Sequence, residues 1–348
     1  MAESEPNRIL VALAQMPKAE LHLHLEAAPR WSTLREALHR HHGRELPQTP
    51  LFHAPDFRFA DFDEFKGCFR HYIYPWLQTK RGYAELMEDV VDSLVEQRIR
   101  YVELNFNVAT VDLLKLDLET VLEQLAASVA TAGDRGTTIR IIAGIDRSQG
   151  SENARLQVQR LIPYPLISGF DLHGLETPET RADRFQDAWA TAKEAGRKVK
   201  VHAGEMDGPA SIYAAVATAG ITQIGHGTSA IESPEVVNLL LERGVVVEMC
   251  PTSNERLGNV SSYQNHPILA LDEAGVKVTV NSDDPTWFGL NLTQEMQRLI
   301  RDRQVSLDCL TRWTRNAFEV AIADDAMRSQ FFTELQTWQQ THCPSLRI

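Results

Sequence analysis

Across the stretch AELHLHLE (residues 19–26), Leu21, Leu23 and Leu25 alternate with His22, His24 and Glu26. Such alternation marks a β-strand, whose side chains project to opposite faces with a period of two, so both imidazoles and the carboxylate are expected on one face. Comparable β-rich runs recur as RYVELNFN, TTIRIIAGID, LISGFDLHG, KVKVHAGE, ITQIGHGT, VVVEMCP and VKVTVNSDDP. Between them, RFQDAWATAKEA, ASIYAAVATA and PEVVNLLLERG repeat apolar residues with helical spacing, and Gly196, Gly220 and Gly244 stand where those helices should stop. Parallel strands need crossovers and usually obtain them from helices. Eight such units therefore predict an α/β fold, a closed parallel (β/α)8 barrel of the TIM type.

Two segments fall outside this repeat. Residues 44–80 contain FRFADFDEFKGCFRHYIYPW, an aromatic stretch too long for a simple connection, and this insertion after strand one is expected to form a lid. From Leu290 to Ile348 the chain is amphipathic without a strand signal, which predicts extra C-terminal helices on the outside of the barrel. With 348 residues, 43% of them hydrophobic, one large domain over residues 1–348 fits better than several small ones.

Charge narrows the partners. A formal net charge of −12 disfavours a nucleic-acid backbone or an anionic membrane surface and leaves a small neutral or cationic ligand allowed. The opening MAESEPNR is polar and no later run is long enough to span a bilayer, so a cytoplasmic protein is expected. Oligomeric state leaves no signal in the chain. Cys68, Cys250, Cys309 and Cys343 are far apart without a CxxC pair, which argues for reduced thiols in packing roles.

If the strands are right, the distinctive polar residues all lie at their carboxyl ends, where barrel enzymes build active sites: His22, His24, His173, Gly174, His202, Glu205, His226, Asp283 and Asp284. One buried histidine is ordinarily a hydrogen-bonded core residue. Several converging with aspartates on one mouth reverse that reading. Imidazole and carboxylate are the donors a catalytic Zn²⁺ commonly takes, and His22, His24, His202 and Asp283 can supply the shell for one ion per chain. A divalent ion lowers the pKa of its water to roughly 7 in favourable zinc sites. Glu205 is then free to protonate a substrate ring nitrogen, and His226 to take a proton from the water and hold the hydroxide oriented.

Other clusters carry plainer readings. HRHHG (39–43) reads as the solvated end of a helix, Cys250 as core, and Trp287 and Phe288 as packing. His173 is divided between pocket lining and packing. Phe65, Phe69, Tyr72 and Trp76 have near-helical spacing and read first as a lid packed on its own core.

Six motifs in order, ELHLHLE, GFDLHGLE, VHAGE, IGHGT, CPTSN and VNSDDP, spanning residues 20–285, make the chain resemble the adenosine deaminase family of the amidohydrolase superfamily. The resemblance implies zinc on His22, His24, His202 and Asp283, with Asp283 also contacting the hydroxide. It further implies proton donation from Glu205 to N1 of a 6-aminopurine, His226 beside the attacking water, Asp284 on N7 and the Gly174 N–H facing N3. The implied reaction is hydrolytic deamination of adenosine or an adenosine-like compound to the 6-oxopurine and ammonia. Where adenosine deaminases usually end the first motif in Asp-Gly, this chain has Glu26-Ala27-Ala28. Glu26 resembles adenine and aminodeoxyfutalosine deaminases, the alternative activities, whereas Gly225 before His226 and CPTSN fit nucleoside-type members. Glu26 is expected to recognise whatever replaces or extends the ribose, and Ala27 to strain any backbone with φ > 0. A metal-binding barrel without turnover is a reading of another class, which the retained proton-transfer pair disfavours. A third is a hydrolase of another amidohydrolase branch acting on a lactone, amide or phosphoester; such branches often carry a lysine at the end of strand four, where GFDLHG has none.

Overall fold

A computed structural model describes residues 5–342. Eight parallel strands follow one another in sequence order around a single sheet: β1 (Lys18–His24), β2 (Ile99–Asn107), β3 (Thr138–Asp146), β4 (Ile167–His173), β5 (Lys198–Ala203), β6 (Gln223–His226), β7 (Val246–Met249) and β8 (Lys277–Val280). The helices Gln186–Glu194 and Pro234–Arg243 form where the apolar rhythm placed them, and Gly196, Gly220 and Gly244 adopt φ of 70°, 64° and 60° beyond their helices.

The first and last strands are stitched rather than fully laddered. The Asp283 N–H donates to the His22 carbonyl at 3.1 Å and the Asp283 carbonyl accepts from the His24 N–H at 2.9 Å, beside a bridge between Leu23 and Asp283. Two side chains complete the seam: Asn281 Oδ1 accepts from the Leu21 N–H at 2.8 Å, and Glu20 accepts from the Ser282 N–H at 2.8 Å. The helix Leu307–Glu319 packs over β1 and β8 from outside, and its Asn316 amide donates to the Val278 carbonyl at 2.9 Å. It is flanked by Leu292–Arg303 and Asp325–His342, the expected C-terminal helices. Residues 343–348 of that expectation, with Cys343, lie outside the described residues.

Leucine, valine and isoleucine along the strands face the helices, while the period-two partners face inward and are polar. Glu103 and Asn105 of β2, Asp171 of β4, Lys200 and His202 of β5, Gln223 of β6 and Glu248 of β7 are all buried. β1 stops at His24, and Leu25–Ala27 is a 3-10 turn, so Glu26 does not continue the strand as the alternation predicted. The turn nevertheless buries its carboxylate. Ala27 and Ala28 avoid positive φ, so replacing glycine there brings no backbone strain. The insertion folds into the 3-10 turn Leu51–His53, the helix Phe62–Cys68, a π-turn Phe69–Ile73 and the helix Tyr74–Leu77. Phe65 stacks on Phe288, and Phe69 meets Trp287 edge-on, which fixes this segment to the turn after β8.

Among the described residues no helix is long and apolar enough to cross a membrane, and Cys68, Cys250 and Cys309 are free.

Asn281→Ala leaves the buried Leu21 N–H without its acceptor, and a buried donor left unpaired costs about 1–3 kcal/mol. The urea midpoint is expected to fall accordingly at unchanged m-value. A loss below about 0.5 kcal/mol, the scatter of surface substitutions, would show that the seam does not need this bond.

Candidate active site

At the carboxyl ends of β1, β5 and β8 four donors converge. His22 Nε2 and His24 Nε2 each lie 3.2 Å from Asp283 Oδ1, and His24 Nε2 lies 3.3 Å from His202 Nε2. The donor atoms of His22, His24 and His202 all fall within 4.8 Å of one another. Despite that proximity His22 Nε2 and Asp283 Oδ1 lack hydrogen-bond geometry with any group, which leaves two buried polar atoms aimed at a common point. Such orphans are rare unless something else satisfies them, and three imidazoles with one carboxylate suit a divalent ion such as Zn²⁺. The donor set therefore fits the metal implied by the sequence. Cys250 lies within reach of His22 and Asp283, but burial pushes its thiol well up, so it stays protonated and packs as expected.

Two of the three imidazoles are held from behind, the arrangement that fixes tautomer and orientation in metal sites. Glu248 meets His22 Nδ1 at 3.0 Å and is itself paired to the buried Lys200 at 3.0 Å. Asp171 meets His202 Nδ1 at 3.1 Å and accepts from the Asn105 amide at 2.8 Å. Gly225 leaves the space for His22, because a Cβ there would stand 2.7 Å from its Cε1. Burial alone would lower the His22 imidazole, but the adjoining Asp283 and Glu248 carboxylates outweigh it and raise it to about 10. Burial likewise opposes ionisation of Asp283, yet His22 and His24 hold its carboxyl well below the usual range.

Glu205 sits on the loop after β5, and that loop is built around Glu176. The Glu176 carboxylate accepts the N–H groups of Gly204, Glu205, Met206 and Asp207 at 2.8–3.0 Å, together with the Ser211 hydroxyl. The buried Arg147 guanidinium tethers the same corner, donating to the His202 carbonyl at 2.6 Å. Burial raises the Glu205 carboxyl to about 8, helped by the nearby Asp283 and Glu176 charges. Asn259 donates to Glu205 Oε1 at 2.9 Å, while Oε2 lies 3.6 Å from His226 Nε2.

His226 ends a hydrogen-bond chain whose polarity is set by the backbone. The Ile268 N–H donates to His266 Nδ1 at 3.3 Å, so neutral His266 carries its hydrogen on Nε2. That nitrogen donates to Asn254 Oδ1 at 3.0 Å, and the Asn254 amide nitrogen donates to His226 Nδ1 at 3.0 Å. Burial lowers both histidines to about 3, which keeps the chain neutral. The remaining hydrogen of His226 is thereby assigned to Nε2, facing Glu205. Both His226 and Asp283 hold left-handed backbone conformations, with φ of 61° and 62°, of a kind that costs about 1–3 kcal/mol each and is found where function requires it.

These groups open on a cavity of about 290 Å³, near the lower end of the range of about 300–1,000 Å³ usual for ligand sites. His24, His202, Glu205, His226, Asp283, Asp284, Gly174 and Glu26 all line it. His22 is buried beneath the lining. Asp284 has an unpartnered buried oxygen, and burial with the charge of Asp283 holds its carboxyl well above the usual range. Glu26 accepts from the Asn107 N–H at 3.1 Å and the Tyr83 hydroxyl at 3.2 Å, and burial raises it to about 7. His173 lines the cavity, with room made by Gly144, and burial lowers it to about 4. Phe65 and Phe69 reach the cavity from the insertion, whereas Trp76, Trp287 and Phe288 are core. The HRHHG segment ends a helix, with His39 and His41 paired to Glu45 and Glu85. Sequence reasoning gave no role to Glu176, Asp171, Glu248, Asn254 or His266; the motifs GFDLHGLE and CPTSN contain three of them.

A family model described as Adenosine deaminase matches residues 17–338. The chain belongs to the adenosine deaminase family. It is an aminohydrolase of that family. It is 32% identical over 323 residues to the adenine deaminase of Agrobacterium fabrum (strain C58), covering 91% of this chain and 97% of that protein. It is 30% identical over 334 residues to the aminodeoxyfutalosine deaminase of Streptomyces avermitilis, covering 94% and 92%. The crystal structure of an adenine deaminase from Arthrobacter aurescens superposes with a TM-score of 0.85 at 25% identity, covering 93% of this chain and 99% of that one. The same fold, at 20% identity and a TM-score of 0.84, occurs in an amidohydrolase from Burkhoderia ambifaria solved with bound Zn; the match covers 99% and 96%.

The assigned tautomer predicts pyrrole-type Nε2 and pyridine-type Nδ1 resonances for His226 in ¹⁵N spectra of the metal-free protein. His266→Leu is expected to shift them toward a tautomer mixture, and unchanged signals in that variant would remove His266 from the chain.

Proposed function

We propose that the chain hydrolytically deaminates a 6-aminopurine carrying a substituent at N9, with one Zn²⁺ held by His22, His24, His202 and Asp283. The observation that carries this reading is the lining of the cavity. Besides the histidine and carboxylate cluster, it includes Glu26, Phe62, Phe65, Phe69 and Leu113, more than the groups needed to hold a purine ring. The chemistry such an ion supplies is Lewis-acid activation of water.

The chain's own residues account for the remaining requirements. Glu205 stays protonated at neutral pH and is suited to protonate N1, which draws electrons from C6. His226, with its hydrogen on Nε2, holds the attacking oxygen; of its two expected roles, orientation is the one this tautomer supports. Asp284, kept neutral, can donate to N7, and Gly174, just after β4, lines the cavity where its N–H can meet N3. Water adds its oxygen to C6. Asp283, kept anionic, is suited to pass one of the water's protons to the amino nitrogen, which leaves as ammonia; the other proton returns to Glu205, and the 6-oxopurine remains.

Relatives named adenine and aminodeoxyfutalosine deaminase favour those alternatives over adenosine itself, and Glu26 agrees with them. The bare base is the second reading. A screen of adenine, adenosine, 5′-substituted adenosines and aminodeoxyfutalosine, followed by the ultraviolet change from amino- to oxopurine, separates them. Adenine as the best substrate by kcat/KM would overturn the N9-substituted reading.

Glu205→Gln is expected to keep metal and fold and lower kcat by at least ~10²-fold. Because the protonated form acts, the rate should fall as pH rises through the Glu205 pKa, about 8 before the ion's charge draws it lower, and that limb should vanish in the glutamine variant. A near-normal rate in metal-loaded Glu205→Gln would exclude Glu205 as donor. His22→Ala should lose most of its zinc, measured by atomic absorption, since removing one donor weakens such sites at least ~10-fold. Full zinc occupancy would exclude His22 as a ligand.

A further inference from the structure

We propose that the N9 substituent bears an oxyanion, a carboxylate or a phosphate, held at the mouth of the cavity by Lys66 and Arg70. The inference rests on the reading of the site as a 6-aminopurine deaminase. The two cations stand four residues apart, Lys66 on the helix Phe62–Cys68 and Arg70 in the π-turn that continues it, so they occupy the same side of the insertion. Both line the cavity.

Neither is tied into an ion pair, although the Lys66 charge acts at longer range on Asp146, whose carboxyl it helps to lower. Among the described residues no carboxylate lies within 4.0 Å of either group, although most other arginines of the chain are so paired. The polar contact of Arg70 is a 3.4 Å bond to the Asp63 carbonyl, and Lys66 Nζ stands 5.8 Å from the Phe62 ring. The chain as a whole repels anions, with a net charge of −12, and the cavity's acidic groups are Glu26, Asp146, Glu205, Asp283 and Asp284. Burial holds Glu205 and Asp284 protonated, while Asp146 and Asp283 stay anionic. Two free cations at the mouth of such a cavity create a local reversal of sign. Phe62, Phe65, Phe69 and Leu113 line the same cavity, which suits a substituent with apolar as well as charged parts. A π-turn in the same segment widens the backbone, a feature frequent at functional sites.

The test compares adenosine, adenosine 5′-monophosphate and adenosine 5′-carboxylate on the zinc-loaded enzyme and on Lys66→Ala, Arg70→Ala and the double variant. Both residues are partly or fully exposed, so the variants should fold, which circular dichroism checks. At least one anionic substrate should exceed adenosine in kcat/KM, and which one wins distinguishes phosphate from carboxylate. That ratio should fall about tenfold in each single variant and further in the double, as for a lost hydrogen bond to a charged group. It should also fall with added salt. Lys80→Ala, which removes a charge outside the cavity, should leave the ratio unmoved. A ratio unaffected by the double variant, or shifted equally by Lys80→Ala, overturns the proposal. A binding arm separates it from the catalytic reading: inosine, inosine 5′-monophosphate and inosine 5′-carboxylate are titrated calorimetrically into each protein. If no purine is turned over but an anionic ligand binds more tightly and depends on Lys66 and Arg70, the anion site stands and the deaminase reading falls. If neither turnover nor binding favours the anion, the anion site is excluded.

Discussion

The molecule depends on how Asp283 closes the barrel. Its backbone joins the ends of β1 and β8, donating to the His22 carbonyl and accepting from the His24 N–H, while its side chain stands 3.2 Å from the imidazoles of the same two residues. One residue thus completes the sheet and the donor cluster together. The left-handed φ of 62° makes both possible, because an ordinary extended conformation would carry the carboxylate past the strand. The cost of that backbone is spread over the seam bonds from Asn281 and Ser282 and over the helix Leu307–Glu319 behind them. The barrel's stability and the site's geometry are therefore not separable at this corner.

From that corner the site sorts its carboxyl groups by environment. Asp283 is surrounded by histidines and remains ionised. Glu205 and Asp284 are equally buried but face carboxylates, and they remain protonated. A site that must both donate and accept protons at one pH needs this separation. Burying so much charge would be ruinous if groups were left unmatched. Lys200 is placed against Glu248 and Glu103, and Glu248 against His22, so a connected network rather than isolated ions fills the barrel floor. The same network orients His22, which joins folding to chemistry a second time.

Much of this was legible in the chain because a strand's period of two exposes what faces inward. KVKVH in β5 and ELN in β2 write the polar interior directly beside the apolar face that meets the helices. The order of strands, the lid insertion and the cluster of His22, His24, His202 and Asp283 followed from that periodicity. The end of β1 did not, since alternation of Leu25 and Glu26 continues into a 3-10 turn and carries no stop signal. Glu176 was equally hidden. A carboxylate collecting four successive backbone N–H groups is recognised by the loop's shape, and its sequence is an ordinary GLE. His266, forty residues from His226, joins it only through Asn254, a relation that exists in space alone.

The division of labour that results explains why the reaction is easier to read than the substrate. The groups proposed to move protons or bind the ion stand at strand ends, where the sheet's hydrogen bonds fix each direction and a motif of a few residues records it. The groups proposed to meet the rest of the substrate come from the insertion, whose position is set by aromatic contacts such as Phe65 on Phe288 and Phe69 on Trp287. Those contacts fix where the segment lies without dictating what its cavity side presents. Lys66 and Arg70 occupy that unconstrained side, and nothing in the packing of Phe65 or Phe69 requires a cation there. Residues that the fold does not need, and that run against the sign of the whole surface, are where a ligand's own chemistry is most directly written.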